Sequence, residues 1–259
     1  MADGSLLSLS RRPVGRTVRR LGRLLLDAVL PPRCLKCGAA VGEPGALCAT
    51  CWPAIGFITP PYCACCGYPF ELDPGPGALC AACIAMPPPY RRARAVLRYD
   101  EASKGLILGF KHGDRTEAAP AFARWLATAG DFTDIDLIAP VPLHWRRLLH
   151  RRYNQAALLA LALGRLVDRP VVPDLLVRRR PTPTQGHLHA AARRRNVAGA
   201  FGVGKRRRPA IVGRRVLLID DVMTSGATIE SCCQALSRGG AAAVDVLTLA
   251  RAIRPAQPR

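Results

Sequence analysis

The 259-residue sequence lacks any apolar run near the roughly 18–20 residues that a membrane-spanning helix needs, which excludes an integral membrane protein. Aromatic residues make up only 5% of the chain. We therefore expect an aliphatic core, with few rings available to stack on nucleic-acid bases. Acidic residues are also scarce, 18 against 38 Lys and Arg, and the formal net charge is +20. Such an excess favours polyanionic partners, namely nucleic acid, phosphorylated small molecules or anionic membrane surfaces.

The N-terminal segment has no convincing signal-peptide cleavage site. Its short apolar run, Leu24–Leu30, is interrupted by Asp27, so we expect no signal peptide. Residues 1–33 are predicted to form a basic leader that ends in an amphipathic helix. Such a helix would pack on the next module, and a membrane or presequence role is the alternative.

Cysteine is concentrated in one short region. Nine of the 11 cysteines lie between Cys34 and Cys83. Eight of the nine form CxxC pairs: Cys34, Cys37, Cys48, Cys51, Cys63, Cys66, Cys80 and Cys83. This spacing is typical of metal binding in a reducing compartment, which predicts a cytoplasmic protein.

Eight paired cysteines supply two closed four-thiolate sites, so we expect two structural zinc ions in a double zinc ribbon over residues 34–89. The sequential grouping 34/37/48/51 and 63/66/80/83 is favoured, and an interleaved grouping stays open. The run Pro87–Pro89 predicts a stiff boundary after this module. Cys232 and Cys233, on a predicted helix, are expected to be buried core thiols.

From residue 90 onward, strand and helix patterns alternate. Strands are predicted at Ala95–Tyr99, Leu137–Ala139, Val216–Ile219 and Ala243–Leu249, and helices at Lys104–Phe110, Glu117–Ala129, Asn154–Val167 and Thr228–Ser237. The polar, Arg-rich stretch from Arg178 to Val197 is predicted to be a long loop. The pattern indicates an α/β domain over residues 90–253, with a mostly parallel sheet and helices on both faces.

The most informative window runs from Val216 to Thr228 and reads VLLIDDVMTSGAT. We predict that a buried strand brings Asp220 and Asp221 to its C-terminal end, where ligands bind in open parallel sheets. The following turn opens a helix, and its N–H and hydroxyl groups can cradle a phosphate. The window is neither a Walker A loop nor a GxGxxG dinucleotide turn.

This window resembles the 5-phosphoribosyl-1-pyrophosphate (PRPP) motif of type I phosphoribosyltransferases. The resemblance implies a type I phosphoribosyltransferase fold in which Asp220 and Asp221 are catalytic residues on the ribose 2′- and 3′-hydroxyls. It implies that five residues surround the 5′-phosphate: Thr224, Ser225, Gly226, Ala227 and Thr228. It also implies a pyrophosphate loop formed by four residues after a strand: Pro140, Val141, Pro142 and Leu143. Candidate cations for the diphosphate are Lys111, Arg151 and Arg193, with Mg²⁺ bound together with PRPP.

Further motifs occur between the cysteine module and this window, in the order Phe110–Gly113, Val141–Leu143, Tyr153–Ala156 and Thr182–Val197. With the zinc ribbon and the PRPP motif, they resemble the ComF family, also called the amidophosphoribosyltransferase-like competence proteins. The resemblance implies a cytosolic role in natural competence, near the DNA-uptake machinery and its helicase. Two positions depart from the common pattern: His112 replaces a frequent aromatic residue, and Arg152 stands where glycine is common.

Two functions of different class follow. The first is a Mg-dependent phosphoribosyltransferase, for which the sequence shows no base-recognition signature and hence no acceptor. The second is a non-catalytic adaptor that binds single-stranded DNA, since residues 144–215 hold 18 Lys and Arg against two acids. Four amide side chains are candidates for orienting an acceptor or lining the loop: Asn154, Gln155, Gln185 and Asn196.

Overall fold

The structure is a computed structural model that describes residues 31–112, 115–144, 148–149, 152–180 and 195–253. The predicted leader helix and most of the predicted Arg-rich loop lie outside these residues. The strands are β1 (Arg92–Arg98), β2 (Leu137–Pro140), β3 (Leu176–Arg178), β4 (Phe201–Val203), β5 (Arg215–Met223) and β6 (Ala243–Arg251). The helices are α1 (Ala81–Ala85), α2 (Glu101–His112), α3 (Ala119–Ala129), α4 (Gln155–Leu166) and α5 (Ala227–Gly239).

The central sheet has four strands in the order β1-β6-β5-β2, and all three pairings are parallel. The register places Ile219 of β5 opposite Leu247 of β6 and opposite Pro140 of β2. The carboxyl ends of all four strands therefore lie at the same edge of the sheet. Asp220 and Asp221 lie near this edge, in the last part of β5. The predicted mostly parallel α/β sheet is confirmed.

Helices cover both faces of this sheet because alternate strand residues point to opposite sides. Leu217 and Ile219 of β5 pack in a core with α2, α3 and α4. Val216 and Leu218 face the other side of the sheet, where they share a core with α5 and the antiparallel strand pair β3–β4. Cys232, like its neighbour Cys233, is a fully buried thiol of α5, as predicted.

Several predicted elements differ in extent; β1, for example, begins at Arg92 rather than Ala95. Strand β5 runs four residues past its predicted end, because the chain keeps pairing with β6 up to Met223 opposite Arg251. Helix α2 begins at Glu101, earlier than the predicted start at Lys104. The Asp100 carboxylate caps this earlier start, because it accepts a hydrogen bond from the Ser103 N–H at 2.9 Å. Arg178 was predicted to begin a loop, but it lies in β3 and pairs with Phe201.

The cysteine module packs against the edge strand β1. The Ile58 N–H donates to the Val96 carbonyl at 2.8 Å, and Phe57 forms an antiparallel bridge with Leu97. The Ala93 N–H donates to the Cys65 carbonyl at 2.7 Å. The module thereby covers the otherwise unpaired edge of the sheet. Within the described ranges, no helix has the length and apolar character to cross a bilayer.

Candidate functional site

A cleft of about 430 Å³ lies at the C-terminal ends of β2 and β5. The acid pair Asp220 and Asp221 lines it, together with the turn Thr224–Thr228 (the 224–228 turn). Val141–Leu143, after β2, and Lys111, on α2, also line it. Of the four residues predicted for the loop after β2, Pro140 is instead buried as the last residue of that strand.

The two carboxylates are held by the backbone that carries them. The Asp221 N–H donates to Asp220 Oδ1 at 2.9 Å, and the Val222 N–H donates to Asp221 Oδ1 at 2.8 Å. Lys111 Nζ lies 2.9 Å from Asp221 Oδ2. Lys111 therefore holds Asp221 in an ion pair, whereas Asp220 has no such partner among the described residues.

Desolvation raises the pKa of the Asp220 carboxyl to about 8, and the neighbouring Asp221 charge adds to this effect. The Asp221 N–H and Lys111 act in the opposite direction but do not outweigh it. Near neutral pH, Asp220 can therefore donate or accept a hydrogen bond, and an arriving cation would favour its ionised form. Such a group suits hydroxyls and divalent cations.

The 224–228 turn provides the second half of the cleft. Gly226 has φ +79°, a left-handed conformation that favours glycine, and it is the N-cap of α5. As a glycine it has no side chain that could cap the helix, which leaves that place to an oxygen of a ligand. The N–H groups at the N-terminus of a helix of this length bind phosphate oxygens well.

The side-chain amides of Asn154 and Gln155 donate hydrogen bonds to backbone carbonyls in two segments of the cleft. The Asn154 amide donates to the Val141 carbonyl at 3.0 Å, and its oxygen caps α4 by accepting from the Ala156 N–H. The Gln155 amide donates to the Lys111 carbonyl at 2.9 Å. Both residues line the cleft. Their side chains position the loop after β2 and the end of α2, rather than reaching for an acceptor.

The predicted cations are only partly placed. Lys111 is in the cleft, whereas Arg151 and Arg193 lie outside the described residues, as does Gln185. Arg178 also lines the cleft, with its guanidinium 5.3 Å from the centre of the Phe201 ring. Sequence reasoning placed Arg178 on a nucleic-acid surface instead. The apolar run Leu175–Val177 before it was the available sign of a strand.

Arg152 shows why glycine is common in the loop before α4. Its backbone has φ +64°, in the left-handed region that non-glycine residues seldom occupy. The next residue, Tyr153, donates its hydroxyl to the Phe110 carbonyl at 3.0 Å. The loop therefore keeps its anchor on α2 despite the substitution, with backbone strain at Arg152.

The eight paired cysteines form two clusters in the sequential grouping. Within each cluster the four sulfur atoms lie within 4.8 Å of one another. Two contacts between sulfurs are 3.6 Å long, one in each cluster: Cys37–Cys48 and Cys66–Cys80. Such spacing fits four thiolates around one tetrahedral Zn²⁺ at about 2.3 Å from each sulfur. The clusters are thus suited to structural zinc, and the interleaved grouping is excluded.

Backbone N–H groups lower the pKa of at least one thiol in each cluster. Burial alone would raise the pKa of Cys34, but N–H donors from Cys37 and Cys48 outweigh it and lower that pKa to about 6. The same balance lowers the pKa of Cys63 to about 7, where the Cys80 N–H lies 3.2 Å from the sulfur. Since the thiolate is the form that binds zinc, both sets of donors favour metal loading at neutral pH.

Comparison with known proteins supports both parts of this architecture. Residues 25–86 match the double zinc ribbon domain, and residues 156–259 match the phosphoribosyl transferase domain. The chain is 35% identical over 198 residues to DNA utilization protein YhgH of Escherichia coli (strain K12), covering 74% of this chain and 84% of that protein. It is 32% identical over 230 residues to Competence protein F of Haemophilus influenzae, covering 85% of this chain and 97% of that protein.

A parallel α/β sheet with an acid pair and the 224–228 turn at its C-terminal edge, preceded by two clusters of four cysteines each, defines a phosphoribosyltransferase-fold protein with a double zinc ribbon. Its relatives match over most of their length. The chain belongs to the ComF family.

Proposed function

We propose that the protein binds PRPP with Mg²⁺ in the cleft at the end of β5 and acts on it as a phosphoribosyltransferase of the ComF type. The observation that carries this proposal is the union, in one cleft, of Asp220, Asp221 and the start of α5 at Gly226. The acids would accept hydrogen bonds from the two ribose hydroxyls. The N–H groups after Gly226 would hold the 5′-phosphate.

The diphosphate would lie between the loop Val141–Leu143 and Lys111. Mg²⁺, when bound with PRPP, would neutralise charge that builds up on the departing pyrophosphate. The chain itself would orient the ribose through the acid pair and shield it beneath Arg178. Such chemistry needs positioning and charge stabilisation more than a covalent partner, and the cleft offers both through its acids, its cations and its turn.

The double variant Asp220→Asn with Asp221→Asn tests this proposal, because it is close to isosteric and removes both carboxylate acceptors. Each lost hydrogen bond to a charged group costs about 1.5–3 kcal/mol, so calorimetry with Mg²⁺ should report at least about a tenfold loss of PRPP affinity. Asp174→Asn is the matched control: this exposed acid pairs with Arg207 outside the cleft. Equal PRPP affinity in the wild type and the double variant would refute the proposal.

A second candidate function, binding of single-stranded DNA, is favoured by a separate groove of about 290 Å³. Arg179, Arg208 and Arg238 line it, and none of the three pairs with a carboxylate among the described residues. Arg179 lies flat on the β4 backbone, since a Cβ at Gly202 would be 2.5 Å from its guanidinium carbon. Guanidinium groups that no acid neutralises suit backbone phosphates.

Some other arginines among the described residues are already neutralised. Arg91, Arg92 and Arg215, for example, form ion pairs with Asp134. The groove is therefore a place where positive charge stays available. The names of the relatives, DNA utilization protein and Competence protein F, fit a nucleic-acid role. A DNA-uptake helicase partner and a cytoplasmic location, implied by the family resemblance and the cysteine chemistry, stay predictions.

The groove is tested by changing Arg179, Arg208 and Arg238 together to Gln and titrating a labelled oligothymidylate at several salt concentrations. Each lost phosphate contact should flatten the log–log salt slope by about 0.7. The matched control changes three other exposed or half-buried cations to Gln: Lys36, Arg98 and Arg165. An unchanged slope in the groove variant, or equal flattening in the control, would exclude this groove as the contact surface.

A further inference from the structure

The end of β6 carries a buried cation, Arg251, whose side chain reaches into the second cysteine cluster. Only 9% of this residue is exposed. Its Nη1 donates to the Cys66 carbonyl at 2.5 Å, and its Nη2 lies 3.6 Å from the Cys66 sulfur. Its guanidinium also lies 5.5 Å from the centre of the Tyr68 ring. In the part of the chain that the structure describes, no carboxylate forms an ion pair with Arg251.

A buried guanidinium without a carboxylate partner is costly unless another negative charge lies nearby. The second cysteine cluster supplies that charge when it holds zinc, because four thiolates and one Zn²⁺ carry a net negative charge. A hydrogen bond to a metal-bound sulfur also fixes the orientation of that ligand. The position of Arg251 therefore depends on the loaded cluster, and the cluster depends on Arg251.

The same guanidinium also contacts Met223, a residue that lines the proposed PRPP cleft. Its Nη1 lies 3.3 Å from the Met223 sulfur, and the Met223 carbonyl accepts from the Ala252 N–H at 2.9 Å. Met223 lines the cleft and directly precedes the 224–228 turn. Its methyl carbon lies 3.3 Å from where a Cβ would be on Gly226, the left-handed residue of that turn. Contacts thus run from Cys66 through Arg251 to Met223, whose methyl carbon lies close to Gly226.

The first cysteine cluster has no such connection among the described residues. It packs through Leu35 and Ile55 on the opposite face of the sheet, in the core of α2 and α3. One of its arginine contacts is Arg115, which donates to the Leu35 carbonyl at 2.7 Å. Arg115 does not line the cleft. The molecule therefore contains two similar metal modules, and among the described residues a buried guanidinium links the second of them to Met223, directly before the turn.

We propose that Arg251 is a positioning residue through which the second zinc centre holds the 224–228 turn in its phosphate-binding conformation. The second centre is then part of the phosphoribosyl site, and the first is a packing element alone. This inference rests on the proposed PRPP site for its functional consequence. The ordering of the turn itself can be measured without any ligand.

The test compares Arg251→Met with Arg115→Met, its matched control, in the full-length zinc-loaded protein. Hydrogen exchange of the free protein should show the amides of residues 224–228 opening about tenfold more often in Arg251→Met, as expected for the loss of hydrogen bonds from a charged group. Arg115→Met should leave those amides unchanged. PRPP affinity with Mg²⁺ should fall about tenfold in Arg251→Met only.

A second pair of variants serves if Arg251→Met does not fold. Cys66→Ser and Cys37→Ser each disrupt one zinc centre, and metal analysis records which zinc is lost. Only Cys66→Ser should speed exchange in the 224–228 turn. Equal exchange in both members of either pair would overturn the inference. If the turn responds as expected but the wild type binds no PRPP, the coupling stands and the proposed ligand is wrong.

Discussion

At the scale of single residues, the site depends on how two adjacent carboxylates are made different. Lys111 pairs with Asp221, while Asp220 is desolvated and has its pKa raised to about 8. One carboxyl is thus held in an ion pair and the other titrates near physiological pH. This division suits a site that must accept a cation and two hydroxyl donors only when ligand arrives.

The Asp220 pKa predicts a pH-dependent stability. Between its unfolded value, 3.8, and about 8, the folded state binds a proton that the unfolded state does not. The contribution of Asp220 to stability is therefore fully present below about pH 4 and is lost as pH rises through 8. In urea unfolding, the difference in unfolding free energy between the wild type and Asp220→Asn should change steadily between about pH 4 and about pH 8. A difference independent of pH would contradict the assignment.

At the scale of elements, the loops that carry the site are fixed by side chains on neighbouring helices. Asn154 and Gln155, at the start of α4, bind the carbonyls of Val141 and Lys111. The Tyr-Asn-Gln motif therefore acts as a brace between β2 and α2. This explains how a site built from separated segments can be kept in register without any ligand.

The loop before α4 predicts an unusual gain in stability. Because Arg152 has φ +64°, Arg152→Gly should relieve strain and stabilise the folded state by about 0.5–1 kcal/mol. Chemical denaturation would measure the change. Arg165→Gly, in the last turn of α4, is the opposite control and should destabilise the folded state, because glycine is a poor helix former. Destabilisation by Arg152→Gly would mean that the side chain has a role beyond the loop backbone.

The sequence predicted the elements well where apolar residues form a continuous run or recur at helical spacing, as in β2, β6 and α4. It ended β5 at Ile219, because two acids in a row look like the end of a buried strand. Pairing with β6 keeps them in the strand instead. Arg178 was missed as a cleft residue because β3 has only three residues and its pairing with β4 is a long-range contact. The contacts of Arg251 with Cys66 carry no local signal at all.

At the scale of the whole molecule, the zinc module is part of the sheet domain. It covers the β1 edge, and its second cluster shares a core with Tyr90, Ala93 and Met223. Gly67 allows this close approach, since a Cβ there would lie 2.5 Å from the Ala93 carbonyl oxygen. A change in the metal centres should therefore alter the structure of the protein beyond residues 34–89.

Metal removal tests that dependence. The module has little regular structure, so the cysteine clusters must hold it together. Zinc analysis should give two ions per chain, and chelation or Cys63→Ser should expose residues 34–89 to protease. Residue 232, on α5, offers a control, because Cys232→Ala removes a thiol without touching either cluster. Well under one zinc per chain would contradict the assignment of the clusters.

The central claim is that PRPP occupies the cleft between the acid pair and the 224–228 turn. Hydrogen exchange of the wild-type protein with and without PRPP and Mg²⁺ tests it most directly, because it reports both binding and place. We expect protection of the amides of residues 225–229, where N–H groups would bind the 5′-phosphate, and of Val141 and Leu143. Protection confined to other surfaces, or none at saturating PRPP, would contradict the account.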